Sequence, residues 1–175
     1  MDIKEFSNLT AIKYELIELL IDSVDHGASV GFLPPLSEVD AEHYWATVNA
    51  EIQDKKRRIL IALDDRKLVG AVQISLPKKP NASHRAEVEK LMVHTSARGK
   101  GIARLLMAAL ETLATKLDRH LLVLDTRLGD VASDLYRKTG FLEAGQIPGY
   151  ARSGSGAFDA TVFFYKQLSI NHNEN

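Results

Sequence analysis

The stretch "TSARGKGIARLL", residues 95–106, sets two glycines one residue apart among three basic residues, with an apolar pattern starting at once. Ile102, Leu105, Leu106, Ala109, Leu110, Leu113 and Leu117 recur at three- and four-residue intervals, the stripe of an amphipathic helix. Upstream, "EVEKLMVH" (residues 87–94) alternates and then turns apolar, which reads as a strand. The glycines therefore stand in a strand-to-helix turn. A helix N-terminus offers free N–H groups and partial positive charge. Gly99 and Gly101 leave that backbone bare, and Arg98 and Lys100 add charge, so the turn suits a phosphate or pyrophosphate. A plainer reading, a tight turn with solvated basic residues, is left open by the loop alone. A Walker loop needs Ser or Thr after Gly-Lys, and none stands there. The dinucleotide fingerprint would need glycine at Arg104.

Working outward, Ile12, Leu16, Leu19, Leu20 and Val24 predict a first helix. "HGASVGFLPP" is a loop rich in Gly and Pro. Ser37 with Asp40 resembles a capping box opening a second helix to about Lys55, with Leu36 as a staple. "RILIAL" and "LVGAVQISL", joined by "DDRK", form a hairpin. "HLLVLDT" is a continuous apolar run, as in a strand covered on both faces. Asp130 caps a helix that runs through Lys138 and ends at Gly140. "FLEAG" and "ATVFFYKQL" give two last strands. The order is α-α-β-β-β-α-β-α-β-β, an α/β chain with a mixed sheet, read as one domain over 1–168 with a polar, disordered tail over 169–175.

The 175 residues carry a formal net charge of −1, which implies no general attraction to nucleic acid or anionic membrane. The aromatic residues are not interleaved with a basic stripe, so a nucleic-acid role lacks support. No signal peptide or membrane span is read, and the absence of cysteine fits a reducing cytoplasm. It also excludes thiolate ligands and cysteine nucleophiles. The six histidines show no metal-ligand spacing, so no metal is expected.

"RGKGIA" resembles the acetyl-CoA pyrophosphate loop of the GCN5-related N-acetyltransferase (GNAT) family, R/Q-x-x-G-x-G/A, with Arg98, Gly101 and Ala103 at its fixed positions. "VEKLMVHTSA" resembles that family's pantetheine strand, and "LYRKTGF" its later helix and the strand after it. The likeness covers roughly residues 52–168 and implies a central, mostly antiparallel sheet of six to seven strands flanked by four helices. It implies acetyl-CoA as co-substrate. Backbone groups of Leu91, Met92 and Val93 would meet the pantetheine arm, and Arg98, Gly99, Lys100, Gly101, Ile102 and Ala103 the pyrophosphate. Arg104 is divided between phosphate and solvent. An Asn that often follows the central strand in the family is missing from "DTRLGD"; Thr126 or Ser133 would substitute. Tyr136 occupies the family's position for the acid that protonates the departing thiolate. A phenol with pKa near ~10 keeps its proton beside a thiol near ~8.5.

An amine acceptor is mostly protonated at neutral pH, so a base must take a proton. Glu87 and Asp125 are the candidates, with Glu89 a rival on the same strand face as Glu87, and His26 and His94 as weaker alternatives. Phe32, Tyr44, Trp45 and Tyr150 are candidate walls of an acceptor pocket built from "HGASVGFLPP", the second helix and "IPGYARSG". With no cysteine and no Ser-His pair signalled, transfer is expected to be direct, without an acyl-enzyme. The expected acceptor is a small-molecule amine, amino-acid-like or a dipeptide toxin or antibiotic. The alternatives are a protein or peptide N-terminus, or a non-catalytic acyl-CoA sensor. A homodimer through sheet edges also fits the resemblance.

Overall fold

The computed structural model describes residues 1–169. The elements run β1 (Asp2–Glu5), α1 (Lys13–Asp25), α2 (Glu38–Gln53), β2 (Arg57–Asp64), β3 (Lys67–Ser75), β4 (Arg85–Val93), α3 (Ile102–Lys116), β5 (Leu121–Arg127), α4 (Val131–Lys138), β6 (Leu142–Arg152) and β7 (Phe158–Gln167). The seven strands form one sheet in the order β1-β2-β3-β4-β5-β7-β6. Every ladder is antiparallel except β4 with β5. The disorder expected of the tail falls, Ser169 apart, outside the described residues.

The expected caps are present. Ser37 Oγ accepts from the Asp40 N–H at 3.1 Å and donates to the Asp40 carboxylate at 2.7 Å. Asp130 accepts from the Ala132 N–H at 3.0 Å, and Gly140 follows α4 with φ +86°. Two elements differ from expectation. β1 was not foreseen, because "DIKE" holds one apolar residue; such short polar strands suit a sheet edge. β6 continues past "FLEAG" to Arg152, so most of "IPGYARSG" is strand.

Alternation along the strands builds two cores, one on each sheet face. Ile59 and Ile61 of β2 face α1 and α2, where Leu16, Leu19, Leu20, Trp45 and Val48 are sealed. Leu60 and Ala62 face α3, among Ile102, Leu106, Met107 and Leu110. Gly70 lets α3 approach: a Cβ there would stand 2.9 Å from the Met92 carbonyl oxygen and 3.2 Å from Leu106 Cδ1.

The central feature is a parting of strands. β4 and β5 pair only at Arg85↔Leu121, Ala86↔Leu122 and Glu87↔Val123. Beyond these, β4 runs on to Val93 and β5 to Arg127 without pairing to each other. The β3–β4 ladder shifts register between Ala71 and Gln73, and Lys90, across from that shift, takes φ +51°. A bulge of this kind bends its strand and sharpens the twist. It turns β4 away from β5 and opens a wedge in the middle of the sheet.

Candidate active site

The wedge leads into a cleft of about 1190 Å³. Its walls come from the loop after α1, from β4 and β5, the glycine turn and α4, and the end of β6. At one end, Gly99 and Gly101 both take φ +77°, the left-handed region that suits glycine. A Cβ at either position would meet no protein atom within 4 Å. The first helical bond of α3 is from the Leu105 N–H to the Gly101 carbonyl, at 3.2 Å. Among the described residues, the N–H groups from Gly99 to Arg104 have no acceptor. Six successive free N–H groups at a helix start, with Arg98 and Arg104 beside them on the cleft wall, fit a pyrophosphate. Arg98 is tied down, its Nε donating to the Val93 carbonyl at 3.2 Å. Lys100 is exposed and outside the cleft wall.

Asp22 of α1 steadies this turn. Its carboxylate accepts from the Thr95 N–H at 2.9 Å and the Thr95 hydroxyl at 2.7 Å. Burial would raise its pKa, but the two Thr95 bonds outweigh that, with His94 and His26 adding to them, and hold it below the ordinary value. His94 lies at this junction, bonded to the Ser96 hydroxyl at 2.8 Å, and does not line the cleft. His26 does line it.

Leu91, Met92 and Val93 lie along the cleft on the β4 edge that β5 leaves unpaired, so their backbone can add a ligand as a strand would. Glu87, Asp125 and Thr126 line the cleft where the two strands part. Burial, then the charges of Glu89 and Asp125, push the Glu87 pKa above the usual carboxylate range. Asp125 is oriented by the Thr161 hydroxyl, which donates to Oδ2 at 2.8 Å. Glu89 also reaches the cleft, but it is occupied: Arg57 Nη1 donates to it at 3.0 Å, and the Ser75 hydroxyl donates to its other oxygen. Burial opposes these contacts, which nevertheless lower its pKa. Its carboxylate is thus a poorer proton acceptor than that of Glu87.

Tyr136 projects from α4 to the cleft wall. Its ring is held by Phe141 and Phe164, each with centroids 5.8 Å away. No hydrogen bond acts on the hydroxyl among the described residues. Burial, then Asp130 and Asp125, raise its pKa, so it keeps its proton. Ser133, on the same helix, is buried without an acceptor for its hydroxyl and does not line the cleft, whereas Thr126 does.

The expected acceptor walls are only partly present in the cleft. Phe32 and Tyr150 line it, but no residue of α2 does. Trp45 is 1 % exposed in the core beneath α1, because its helix turns that face onto the sheet. Tyr44 is spent on structure, its hydroxyl donating to Gln73 at 3.0 Å. Sequence reading also missed Lys90, Arg127 and Arg152, which line the cleft. A lone basic residue in a strand or turn gives no local signal.

A family model described as the acetyltransferase (GNAT) family matches residues 25–141. Several solved structures are similar. The ribosomal-protein-alanine N-acetyltransferase from Brucella melitensis superposes with a TM-score of 0.80 at 24% identity, covering 96% of this chain and all of its own. An N-acetyltransferase from Staphylococcus aureus Mu50 gives 0.80 at 19% identity, over 97% of this chain and 100% of that one. The yncA structure from Salmonella typhimurium, solved with its cofactor acetyl-CoA, gives 0.79 at 18% identity, over 100% and 99%. At these identities the likeness shows a shared fold.

Proposed function

The chain belongs to the acetyltransferase (GNAT) family, and we propose that it transfers acetyl directly to the amine of a small amino-acid-like or dipeptide acceptor. Family membership makes it an acetyl-CoA-dependent N-acetyltransferase; the acceptor class and the roles of individual residues are the proposal.

One observation carries the small-acceptor reading. The loop of residues 27–36 is fastened on both sides of the acceptor end. Arg127 Nη2, at the end of β5, donates to the Gly27 carbonyl at 3.1 Å. Pro34 packs on the β6–β7 turn, where a Cβ at Gly154 would stand 3.0 Å from its Cγ. These contacts hold the loop as a fixed wall of the cleft, which supports a small molecule over a protein terminus. The segments "HGASVGF", "HRAEVEKLMV", "LLVLDT" and "GQIPGY" also resemble the tabtoxin-resistance acetyltransferase, and the proposal extends to inactivation of a toxin or antibiotic of that chemistry in the cytoplasm. A homodimer stays part of the reading; β6, exposed along its length at the sheet edge, is the surface it would use.

In this reading the free N–H groups of Gly99 to Arg104, with Arg98, hold the pyrophosphate, and the open edge of Leu91 to Val93 aligns the pantetheine arm. Glu87 takes the proton from the acceptor amine, directly or through one water; its raised pKa makes it the better base at neutral pH. The amine nitrogen bonds to the acetyl carbon as the carbon–sulfur bond breaks. The Tyr136 hydroxyl gives its proton to the departing sulfur. Asp125 supports both partners, since its charge helps Glu87 to accept a proton and Tyr136 to keep one until sulfur departs. No acyl-enzyme is needed.

The test is CoA release by purified protein with amino acids, dipeptides and amine antibiotics on one side and long unstructured peptides on the other. Turnover concentrated in the first group is expected. Efficient acetylation of the long peptides alone would remove the small-acceptor reading.

A further inference from the structure

Lys90 is an unusual residue to find in the wall of this cleft. It sits on the β4 bulge with φ +51°, a conformation non-glycine residues rarely adopt. The bulge swings its side chain across the acceptor end. There Nζ stands 3.5 Å from where a Gly31 Cβ would be, and 6.0 Å and 5.8 Å from the ring centroids of Phe32 and Tyr44. Among the described residues, no carboxylate oxygen comes within 4 Å of it. The nearest acid in sequence, Glu89, is already bonded to Arg57 and Ser75. Glu87 and Asp125 act on Lys90 only at longer range. Burial, partly offset by Glu89, pulls its pKa below the ordinary lysine value.

An ammonium group held largely out of water, beside two aromatic faces and with no carboxylate bonded to it, is incompletely compensated. An anion arriving in the pocket would complete it. Phosphates of the co-substrate have donors of their own in the run of free N–H groups after Arg98, whereas Lys90 Nζ stands beside Gly31, Phe32 and Tyr44. The remaining anion is one carried by the acceptor.

We propose that Lys90 is the specificity-determining residue of the acceptor pocket and binds a carboxylate on the acceptor, so that the preferred substrates are amines that also carry a free carboxylate. This rests on the acetyl-acceptor reading above. Phe32 and Tyr44 hold the lysine chain in place, and Gly31 leaves room at Nζ for the incoming carboxylate. Glu87, back along the same strand, stays free for the amine.

The test compares free dipeptides with their C-terminal carboxamides in wild type, Lys90→Met and Lys90→Arg, at saturating acetyl-CoA. Wild type is expected to favour the free acids in kcat/KM. Lys90→Met should lose about tenfold to a hundredfold on the acids, the size of one hydrogen bond to a charged group, and little on the amides. Lys90→Arg should recover part of the acid preference, and the KM for acetyl-CoA should stay unchanged in both variants. An acid-to-amide ratio equal in wild type and Lys90→Met overturns the proposal. A binding readout separates this from failure of the acceptor reading itself. With CoA bound, N-acetyl dipeptide acids should raise the melting temperature of wild type but not of Lys90→Met, and their amides should raise neither. No acid-specific shift in wild type overturns the carboxylate site even where some other amine is acetylated.

Discussion

At the scale of single residues, the cleft combines groups that burial and charge push in useful directions. Tyr136 is packed between Phe141 and Phe164 and holds its proton, so Tyr136→Phe removes the hydroxyl and leaves the packing. The variant should unfold within a few degrees of wild type yet lose roughly a hundredfold or more in kcat, the contribution of a positioned acid. An unchanged kcat in steady-state assays would take the acid role away from Tyr136. Glu87 makes a prediction of pH. A base must be deprotonated to act, so kcat/KM should fall as pH drops through the Glu87 pKa, which lies above the ordinary carboxylate value because of burial, Glu89 and Asp125. Asp125→Asn removes one of those charges and should move this acidic limb to lower pH. Glu87→Gln should abolish the limb together with most of the rate. A limb that stays in place in Asp125→Asn would show that these carboxylates do not sense each other. Glu89, locked by Arg57 and Ser75, illustrates what sequence spacing alone leaves open: alternation puts it on the face of Glu87, and only the partners of each group tell them apart.

At the scale of elements, most of the fold was legible because each helix carries its own signals. Ser37 and Asp130 cap as their sequence contexts suggest, and the stripe from Ile102 onward buries Leu106, Leu110 and Leu113 but leaves Leu105 exposed. What was hidden depends on neighbours far along the chain. β1 exists because β2 offers it an edge, not because "DIKE" resembles a strand. The β4 bulge follows from its register with β3, and it carries Lys90 to the cleft wall. Trp45 looked like a wall because aromatic residues serve in pockets and cores alike; the packing of α2 onto the sheet put it in the core. The junction of α1 with the glycine turn yields a testable consequence. Asp22 spends both oxygens on Thr95, and Asp22→Asn leaves one acceptor where two bonds are made. It should cost about 1–3 kcal/mol in denaturant unfolding and raise the KM for acetyl-CoA several-fold by loosening the turn. The pH sign follows from the depressed pKa: the Asp22 contribution is complete above its unfolded value and is lost as pH falls through the folded one. A wild-type minus Asp22→Asn stability difference that stays constant into acid would contradict this.

At the scale of the whole molecule, the sheet is one continuous structure with a wedge in it, and the cleft opens where two parallel strands stop pairing. Unpaired backbone in the centre of a sheet is costly unless water or a ligand satisfies it. In the proposed binding mode the arm lies between β4 and β5 and the pyrophosphate at the start of α3, so binding the co-substrate should stabilise the entire fold. At a hundredfold excess over its dissociation constant, a ligand that binds only the folded state adds about 2.7 kcal/mol. For a domain of this length that corresponds to a rise of roughly 5–11 °C in melting temperature. Gly101→Glu is the matched control. The backbone at +77° disfavours any side chain there, and a carboxylate over the free N–H groups repels the pyrophosphate while competing for its donors. The variant should melt somewhat below wild type in the absence of ligand, by the roughly 1–3 kcal/mol such a conformation costs a non-glycine residue, and should show no shift with acetyl-CoA. A shift of equal size in both proteins would mean that the co-substrate is held without the glycine turn, and the opening of the sheet would then need another explanation.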